Sequence, residues 1–499
     1  MNETVIFRAD ASTEIGTGHV MRSLALAQGW QRAGGQAIFA QAESTPSLDR
    51  RLCSEGIDLV RLETVPGSSE DAAQTLAQAR THEASWIIAD GYCFRAAWQK
   101  QIKDAGFRLL LVDDYGHAEH YYADLVLNQN LHAQAGLYAQ RQPHTRLLLG
   151  TGYAQLRREF LEWRTWRREI PPVACKVLVT LGGADPDNVT GKVIQALACL
   201  RDVEAVVIVG GSNPNLTSLQ SAIRNSQSAI RLVVDIANMP ELMTWADVGV
   251  SAGGFTSWEL AFMGLPSIVI VIAANQTVVA AALDREGVTV NLGEHAQVSV
   301  EQIAAALQSV LADSGRRARM SRRGRVLVDG LGVDKVITRM REALLTLRRA
   351  NEADCRLIWE WANDPEVRAV SFSSDPIPWE NHVRWYEAKW RDPNCLFYVA
   401  TNSSGNPIGQ IRYDITEYEG VVSVSLAKAV RGKGYGSALI TRGVEEFFAE
   451  SSANVVHAYI KLDNQTSGRA FEKAGFSDAG TVNICEHQSR HFVLKREVV

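Results

Sequence analysis

Little in this chain leans to one side. Of its 499 residues, 51 are Lys or Arg and 56 are Asp or Glu, a formal net charge of −5. No global field of the kind that draws nucleic acid or an acidic membrane surface follows from that balance. Seven cysteines, odd in number and scattered without a CxxC pair, exclude a disulfide framework and a cysteine zinc site. No apolar run reaches the ~18 residues of a membrane span, and no basic stretch followed by an apolar one stands at the start. The pattern shows no metal-ligand cluster, so no metal is expected. A cytoplasmic enzyme fits these absences, with no nucleic acid partner and no membrane insertion. One core rarely grows past ~250–300 residues, so roughly two to four domains are expected.

What is present starts with residues 7–22, FRADASTEIGTGHVMR. A short apolar strand (Val5, Ile6, Phe7) runs into a turn and then into a helix carrying Leu24, Leu26 and Ala27. Gly16 and Gly18 let the backbone turn sharply and bring amides close to a ligand. His19 falls in the helix's first turn, where the dipole disfavours an imidazolium, so a neutral ring can accept a proton there. A plain glycine turn with a packing or capping histidine reads the same way.

From there to about residue 149, continuous apolar runs alternate with helical segments: 37–40, 86–90 (WIIAD), 109–114 (LLLVDD) and 125–128 (LVLN). Such runs imply parallel strands covered on both faces, with ligands at their carboxyl ends. Asp90, Asp113 and Asp114 stand at such ends, as catalytic groups or as turn and cap aspartates. Residues 162–172 (EWRTWRREIPP) read as a linker. A second alternation follows: 176–180 runs into Leu181-Gly182-Gly183-Ala184-Asp185, 205–209 into Gly210-Gly211-Ser212, and 231–234 supplies another strand. Two Rossmann-like halves with a crevice between them are the simplest arrangement.

The richest stretch of the second half is 251–266, SAGGFTSWELAFMGLP. A strand at 248–250 meets a glycine pair, and a helix starts near Thr256 and stops at Gly264 and Pro266. Amides from Gly253 and Gly254 through Phe255, Thr256 and Ser257 suit a diphosphate. Glu259 is either the end of a capping box begun at Thr256 or a carboxylate that takes both ribose hydroxyls. Asn275 and Gln276 follow a strand at 267–272.

Together, Arg8-Ala9-Asp10, Gly16-Thr17-Gly18-His19-Val20-Met21-Arg22, Gly182 to Asp185, and Ser251 to Glu259 with Asn275-Gln276 give residues 1 to about 340 a family resemblance. They resemble the UDP-2,4-diacetamido-2,4,6-trideoxy-β-L-altropyranose hydrolases of pseudaminic acid biosynthesis, relatives of the two-domain GT-B glycosyltransferases of the MurG type. The resemblance implies His19 as catalytic base and Glu259 and Asn275 as holders of UDP. It further implies a UDP-sugar contact surface of Arg8, Asp10, Gly16, Gly18, Arg22, Gly183, residues 253–257 and Gln276. General-base attack by water opposite the nucleotide predicts inversion at the anomeric carbon. A glycosyltransferase passing sugar to a hydroxyl is the alternative.

After Gly332 a basic helical stretch, 335–349, leads into another module with candidate strands at 397–401, 407–413 and 421–426. Residues 402–406 (NSSGN) join the first two as a hairpin. Leu426 ends the third strand, and Arg431-Gly432-Lys433-Gly434-Tyr435-Gly436-Ser437 opens a helix: a second pyrophosphate cradle, with charge from Arg431 and Lys433. It lacks the Walker and Rossmann spacings. With Asn464-Gln465-Thr466-Ser467, residues 470–476 (AFEKAGF) and Leu347-Arg348-Arg349-Ala350 with Asp354 and Trp359, it resembles the GCN5-related N-acetyltransferases over about 345–499. The resemblance implies acetyl-CoA as cosubstrate on the amides of 432–437, with Leu426, Asn464 and Ser467 in contact. Phe471 stands where many members carry the tyrosine that protonates the thiolate. Tyr459 or Tyr413 are the candidate substitutes, and Glu417, Glu419 or a water route the candidate bases.

The expected fold is therefore α/β, a GT-B-like pair of Rossmann-like halves (1–160 and 175–340, joined by a linker at 161–174) followed by a GCN5-related N-acetyltransferase domain at 345–499. In the pathway implied, an acetyltransferase acylates the 4-amino group of a UDP-linked 6-deoxy sugar and the hydrolase removes UDP from that product. One chain carrying both modules makes them consecutive, unless the second is a degenerate cofactor-binding module.

Overall fold

The continuous apolar runs become parallel strands, because a strand covered by helices on both faces has no polar side to present. The computed structural model describes residues 3–12, 15–183, 185–210, 213–224, 229–234, 236, 238–402, 405–484 and 486–496. Of the motif residues, Thr13, Glu14, Ala184, Gly211, Ser212, Ser403 and Ser404 lie outside the described ones. The chain divides into two units, Met1–Val333 and Asp334–Val499.

The first unit holds two sheets. One is built from β1 (Thr4–Ala9), β2 (Gln36–Gln41), β3 (Asp58–Arg61), β4 (Ala84–Asp90), β5 (Leu109–Val112), β6 (Leu125–Asn128) and β7 (Arg146–Leu149). They run in the order β3-β2-β1-β4-β5-β6-β7, every pair parallel. β1 is the point where the winding reverses, and there an open α/β sheet leaves a crevice beyond its strand ends. Ala9 at the end of β1 is in register with Asp90 at the end of β4, and Asp90 with Val112, just before Asp113 and Asp114. The register brings the glycine turn and three aspartates to one edge.

The second sheet comprises β8 (Lys176–Thr180), β9 (Glu204–Val209), β10 (Ala229–Val234), β11 (Val248–Ala252), β12 (Ser267–Val271) and β13 (Thr289–Glu294). Its order, β10-β9-β8-β11-β12-β13, is again parallel throughout and reverses at β8. The expected linker is anchored rather than solvated. Trp163 and Trp166 pack on the apolar cluster around Trp258 and Phe262, and Arg168 donates to the carbonyls of Ala246 at 2.6 Å and Met263 at 3.3 Å.

The helical stretch expected at 335–349 is split. The helix runs from Gly332 to Glu342 and a strand, β14 (Thr346–Arg349), follows. With β15 (Cys395–Thr401), β16 (Pro407–Thr416), β17 (Glu419–Leu426), β18 (Val455–Lys461), β19 (Ser477–Ile484) and β20 (His487–Lys495) it forms a sheet in the order β14-β15-β16-β17-β18-β20-β19. Only β17 and β18 are parallel, and they pair only at Glu419–Val455, Gly420–Val456 and Val421–His457. β16 holds β17 along its whole length and β20 holds β18, so beyond Val421 the two part and the sheet opens. The architecture is a pair of Rossmann-like parallel-sheet halves followed by a separate α/β unit on a mainly antiparallel sheet.

Candidate active sites

In the first unit the helix Gly18–Arg32 begins directly after the glycine turn, with Thr17 at its cap. Gly16 has φ +79°, a left-handed turn that a side chain would strain, and its amide donates to Ser12 O at 2.9 Å. A Cβ added to Gly18 would meet nothing within 4 Å, so the space over the helix start is open.

His19 points its Nδ1 at Oδ1 of Asp90, 2.6 Å away. A carboxylate accepts, so the ring carries its hydrogen on Nδ1 and leaves Nε2 free to take a proton. Arg22, one turn on, clamps both oxygens of Asp90, Nε to Oδ2 and Nη2 to Oδ1 at 2.6 Å each, and its Nη1 donates to Asp114 at 2.8 and 2.9 Å. Burial alone would raise the Asp90 carboxyl, but the Arg22 charge and the His19 ring outweigh it and hold the group below the usual carboxylate range. Asp114 is lowered further, burial again being overcome chiefly by Arg22.

Tyr92 extends this line. Its hydroxyl donates to Asp114 Oδ2 at 2.6 Å and accepts from Nδ2 of Asn275 at 3.0 Å, and its ring meets that of His19 edge-on at 5.0 Å. Burial and the Asp114 carboxylate push the phenol above its ordinary range, so it stays protonated and donates. Asn275 comes from the second half, so the network spans the crevice: His19, Asp90, Arg22, Asp114, Tyr92, Asn275. Gly183 closes the crevice elsewhere, since a Cβ there would lie 2.9 Å from Thr17 Cγ2.

Other expected contacts are placed differently. Arg8 is fully buried, over the Phe94 ring, with its guanidinium on Asp71 at 2.5–3.1 Å and on Asp10 at 2.7 Å. Asp10 in turn accepts from the amides of Ala42 and Glu43. Both brace the turn rather than face a ligand. Arg22 stands beside His19 with its guanidinium bonded to Asp90 and Asp114, where it holds both acids in place. Asp113 is a turn aspartate, accepting from the amides of Tyr115 and Gly116 and from the Tyr121 hydroxyl.

At the second cradle the helix Thr256–Phe262 has Phe255 as its cap residue, so the Thr256–Glu259 capping box does not form. First-turn amides have no acceptor in their own helix, but that of Ser257 is already spent on Gly254 O at 3.0 Å and its hydroxyl on Ala252 O. Gly253 is needed for close packing, its would-be Cβ 3.1 Å from Gln276 Cβ. Gln276 caps the strand end, accepting from the Ile272 amide at 3.1 Å, and does not face the crevice as expected. Glu259 is 1% exposed and takes Arg157 Nε on Oε1 at 2.8 Å. Burial raises its carboxyl above the ordinary range despite that partner. A ribose does not reach it as it stands. Gly254, Phe255, Thr256 and Asn275 remain at the crevice.

In the second unit the opening between β17 and β18 leads to the turn before the helix Tyr435–Glu450, where Gly432 and Gly434 take φ of +74° and +79°. A 16-residue helix start beside an open sheet edge suits a pyrophosphate and an extended pantetheine arm. The side chains around it are spent on structure. Arg431 is tied to Asp364 at 2.7 Å, to Glu366 at 3.0 Å and to Leu426 O at 3.0 Å. Tyr435 is buried under Arg341, and the Ser437 hydroxyl lies 3.2 Å from that of Thr338. Asn464 caps its helix by accepting from the Ser467 amide at 3.1 Å. Backbone amides, with Lys433 half-buried in the turn and Gly436 packed on Ala470, are what the cradle offers.

Phe471 is buried against Phe476 and Phe492. Tyr413 does not replace the missing tyrosine, because it is fully buried against Phe447 with its hydroxyl unpaired. Tyr459 is half-buried on β18, beyond the last residue paired with β17. Glu417 sits exposed in a left-handed turn position, φ +56°, while Glu419 lies 3.4 Å from His457 Nε2.

Residues 176–329 match the glycosyltransferase family 28 C-terminal domain, and residues 345–477 the acetyltransferase (GNAT) domain. An uncharacterized protein of Methanocaldococcus jannaschii is 21% identical across 94% of this chain and 95% of its own length. The spore coat polysaccharide biosynthesis protein SpsG of Bacillus subtilis is 24% identical across 66% of this chain and 95% of its own. The UDP-2,4-diacetamido-2,4,6-trideoxy-beta-L-altropyranose hydrolase of Campylobacter jejuni is 28% identical across 48% of this chain and 81% of its own. One relative thus spans both units, while the two family matches fall one in each, in the order that the motifs imply. No helix among the described residues is long and apolar enough to cross a membrane.

Proposed function

We propose that this fusion of a unit similar to a nucleotide-sugar hydrolase with an acetyltransferase (GNAT) domain runs two consecutive steps on one UDP-linked amino-deoxy sugar. The C-terminal unit transfers acetyl from acetyl-CoA to the sugar's 4-amino group, and the first unit then hydrolyses the acetylated UDP-sugar to free sugar and UDP. The substrates are UDP-4-amino-4,6-dideoxy-β-L-AltNAc and its acetylated product, UDP-2,4-diacetamido-2,4,6-trideoxy-β-L-altropyranose. The observation that carries the hydrolytic half is the 2.6 Å contact of His19 Nδ1 with Asp90 at the edge of a crevice.

Nε2 of His19 takes a proton from water. The oxygen attacks the anomeric carbon from the face opposite the nucleotide, the bond to the diphosphate oxygen breaks, and UDP leaves toward the amides of 254–256. Asp90 holds the ring's tautomer and stabilises the imidazolium that forms, help worth ~10²–10⁴-fold. Asn275, released from Tyr92, is the second half's polar contact to the leaving nucleotide. In the other unit the amides of 432–437 hold the cosubstrate's pyrophosphate, and the acyl-bearing arm lies along β17 beyond Val421.

Incubating UDP-4-amino-4,6-dideoxy-β-L-AltNAc with and without acetyl-CoA, and following UDP and sugar by mass spectrometry and NMR, tests the reading. UDP and the N4-acetylated free sugar should appear only with acetyl-CoA. The match of 176–329 to a glycosyltransferase domain supports a second reading, transfer to an acceptor hydroxyl. UDP release that waits for an added acceptor favours it.

A further inference from the structure

The C-terminal sheet carries a pair of histidines that the mechanism above does not use. His457 on β18 and His491 on β20 are joined, Nδ1 of the first 2.9 Å from Nε2 of the second. Their rings stack with centroids 5.1 Å apart, and Tyr459 stacks on His491 at 4.9 Å. The far nitrogen of His457, Nε2, is buried without a hydrogen-bond partner, 3.4 Å from Oε2 of Glu419, a side chain 64% exposed. Two hydrogen-bonded imidazoles therefore lead inward from the outer nitrogen of His491, with the Glu419 carboxylate at ion-pair distance beyond the second ring.

The position of this pair is as telling as its chemistry. Val421 is the last β17 residue in register with β18, and its partner is His457. An acyl thioester threaded along β17 from the glycine turn comes to rest where the strands meet again, beside that pair. His457 and Tyr459 share a face of β18, and Tyr459 is directly opposite His491. The other face, with Val456, Ala458 and Ile460, is packed into the core. By register Tyr459 and Lys461 of β18 and Lys495 of β20 share the face of the pair, and Glu419 reaches it from β17, while Asp478 of β19, opposite Phe492, is held by Arg490 of β20. Asp414 on β16, opposite Val421, is already held by Lys389 and Arg412. Burial and His457 hold the His491 ring below the usual histidine range against the pull of Asp478, which favours a neutral ring ready to accept.

We propose that His491, relayed through His457 to Glu419, is the proton acceptor that frees the acceptor amine for acetyl transfer. Nδ1 of His491 takes one proton from the ammonium, the Nε2 hydrogen of His491 passes to His457 Nδ1, and the Nε2 hydrogen of His457 passes to Glu419 and water. The freed lone pair forms the C–N bond at the thioester carbonyl. On collapse the C–S pair leaves on sulfur, and the second amine proton reaches the thiolate through the Tyr459 hydroxyl, which gives one proton and regains one. The inference rests on the acetyltransferase reading of the unit.

The test is the pH profile of thiol release from acetyl-CoA by the full chain, with UDP-4-amino-4,6-dideoxy-β-L-AltNAc and, separately, a panel of simple primary amines including an amino-hexose. In the wild type kcat/KM should rise with pH to a plateau. His491→Gln should lose ~10²–10⁴-fold and that rising limb, recover as the pH approaches the amine's own ionisation, and still bind CoA by calorimetry. Glu419→Gln, at an exposed site that folding does not need, should lower the rate severalfold and move the limb. A His491→Gln variant that binds CoA and keeps the wild-type limb and rate overturns the proposal, as does a Glu419→Gln profile identical to the wild type. Transfer to a simple amine but not to the nucleotide sugar sinks only the substrate reading and still tests the pair. Binding of CoA with transfer to no amine at all sinks both.

Discussion

Replacing Asp90 by Asn separates the two things this carboxylate does. It accepts two bonds from Arg22 and one from His19, all at 2.6 Å, with the Ser23 hydroxyl at 3.3 Å. An asparagine of the same shape keeps one oxygen and turns an NH2 toward a donor, losing at least one charge-assisted bond of about 1.5–3 kcal/mol. Breaking a buried pair outright costs about 3–5 kcal/mol. Asp114 still holds Arg22 through contacts of 2.8 and 2.9 Å, so about 2–3 kcal/mol of stability should go. Catalysis should lose more. An amide no longer fixes the ring with Nε2 as acceptor, and the same change in a serine-protease triad costs ~10⁴ in kcat. UDP release from the acetylated UDP-sugar should therefore fall ~10²–10⁴-fold, about 3–5 kcal/mol, while acetyl transfer in the other unit keeps its rate. Initial rates of both products, with a thermal melt as control for folding, decide it. A folded Asp90→Asn chain that releases UDP at the wild-type rate refutes the role given to Asp90.

Three further outcomes follow from the geometry. Gly183→Ala puts a methyl 2.9 Å from Thr17 Cγ2 and should raise the KM for the nucleotide sugar at a cost of about 1–3 kcal/mol, with Thr17→Ala restoring it. Asp90 and Asp114 both have lowered carboxyls, burial opposing and Arg22 prevailing. Their stabilisation is thus present above the unfolded carboxylate value near ~3.9 and is lost as pH falls through the folded values. Melts of the first unit should be flat from neutrality down to about pH 5 and drop below about pH 4, and Asp114→Asn should be less stable at neutral pH with a shallower acid limb. Tyr413→Phe removes an unpaired buried hydroxyl, so stability should hold or rise by up to ~1 kcal/mol with acetyl transfer unchanged. A tenfold loss of transfer would return Tyr413 as the acid.

The central strands were legible because they are apolar throughout: β6 and β8 fall on the residues their runs mark, and β4 and β5 nearly so. The edges were not. β3 is four residues with exposed ends and β13 is half-buried, while β14 follows a basic helical pattern and is marked only by the family resemblance of residues 347–350. His19 could be found from its glycine turn, a local signal. What holds it could not, since Asp90 is 71 positions away, and nothing local separates its carboxylate from Asp113, which only ties a turn. Tyr92 was passed over because a tyrosine after a strand carries no motif, and its partner Asn275 lies in the other half of the unit. The surroundings of Arg8 and Arg22 were hidden for the opposite reason. Arginines inside a motif look like ligand contacts, yet each is matched by two buried acids that only the fold brings together.

The most direct single measurement is the rate of UDP release by His19→Ala from UDP-2,4-diacetamido-2,4,6-trideoxy-β-L-altropyranose. A fall of ~10²–10⁴-fold, in a chain that still acetylates the amino sugar at the wild-type rate and stops at the acetylated UDP-sugar, is the predicted result. UDP release within a few-fold of the wild type would contradict the account, because the crevice would then be hydrolysing its substrate without its base.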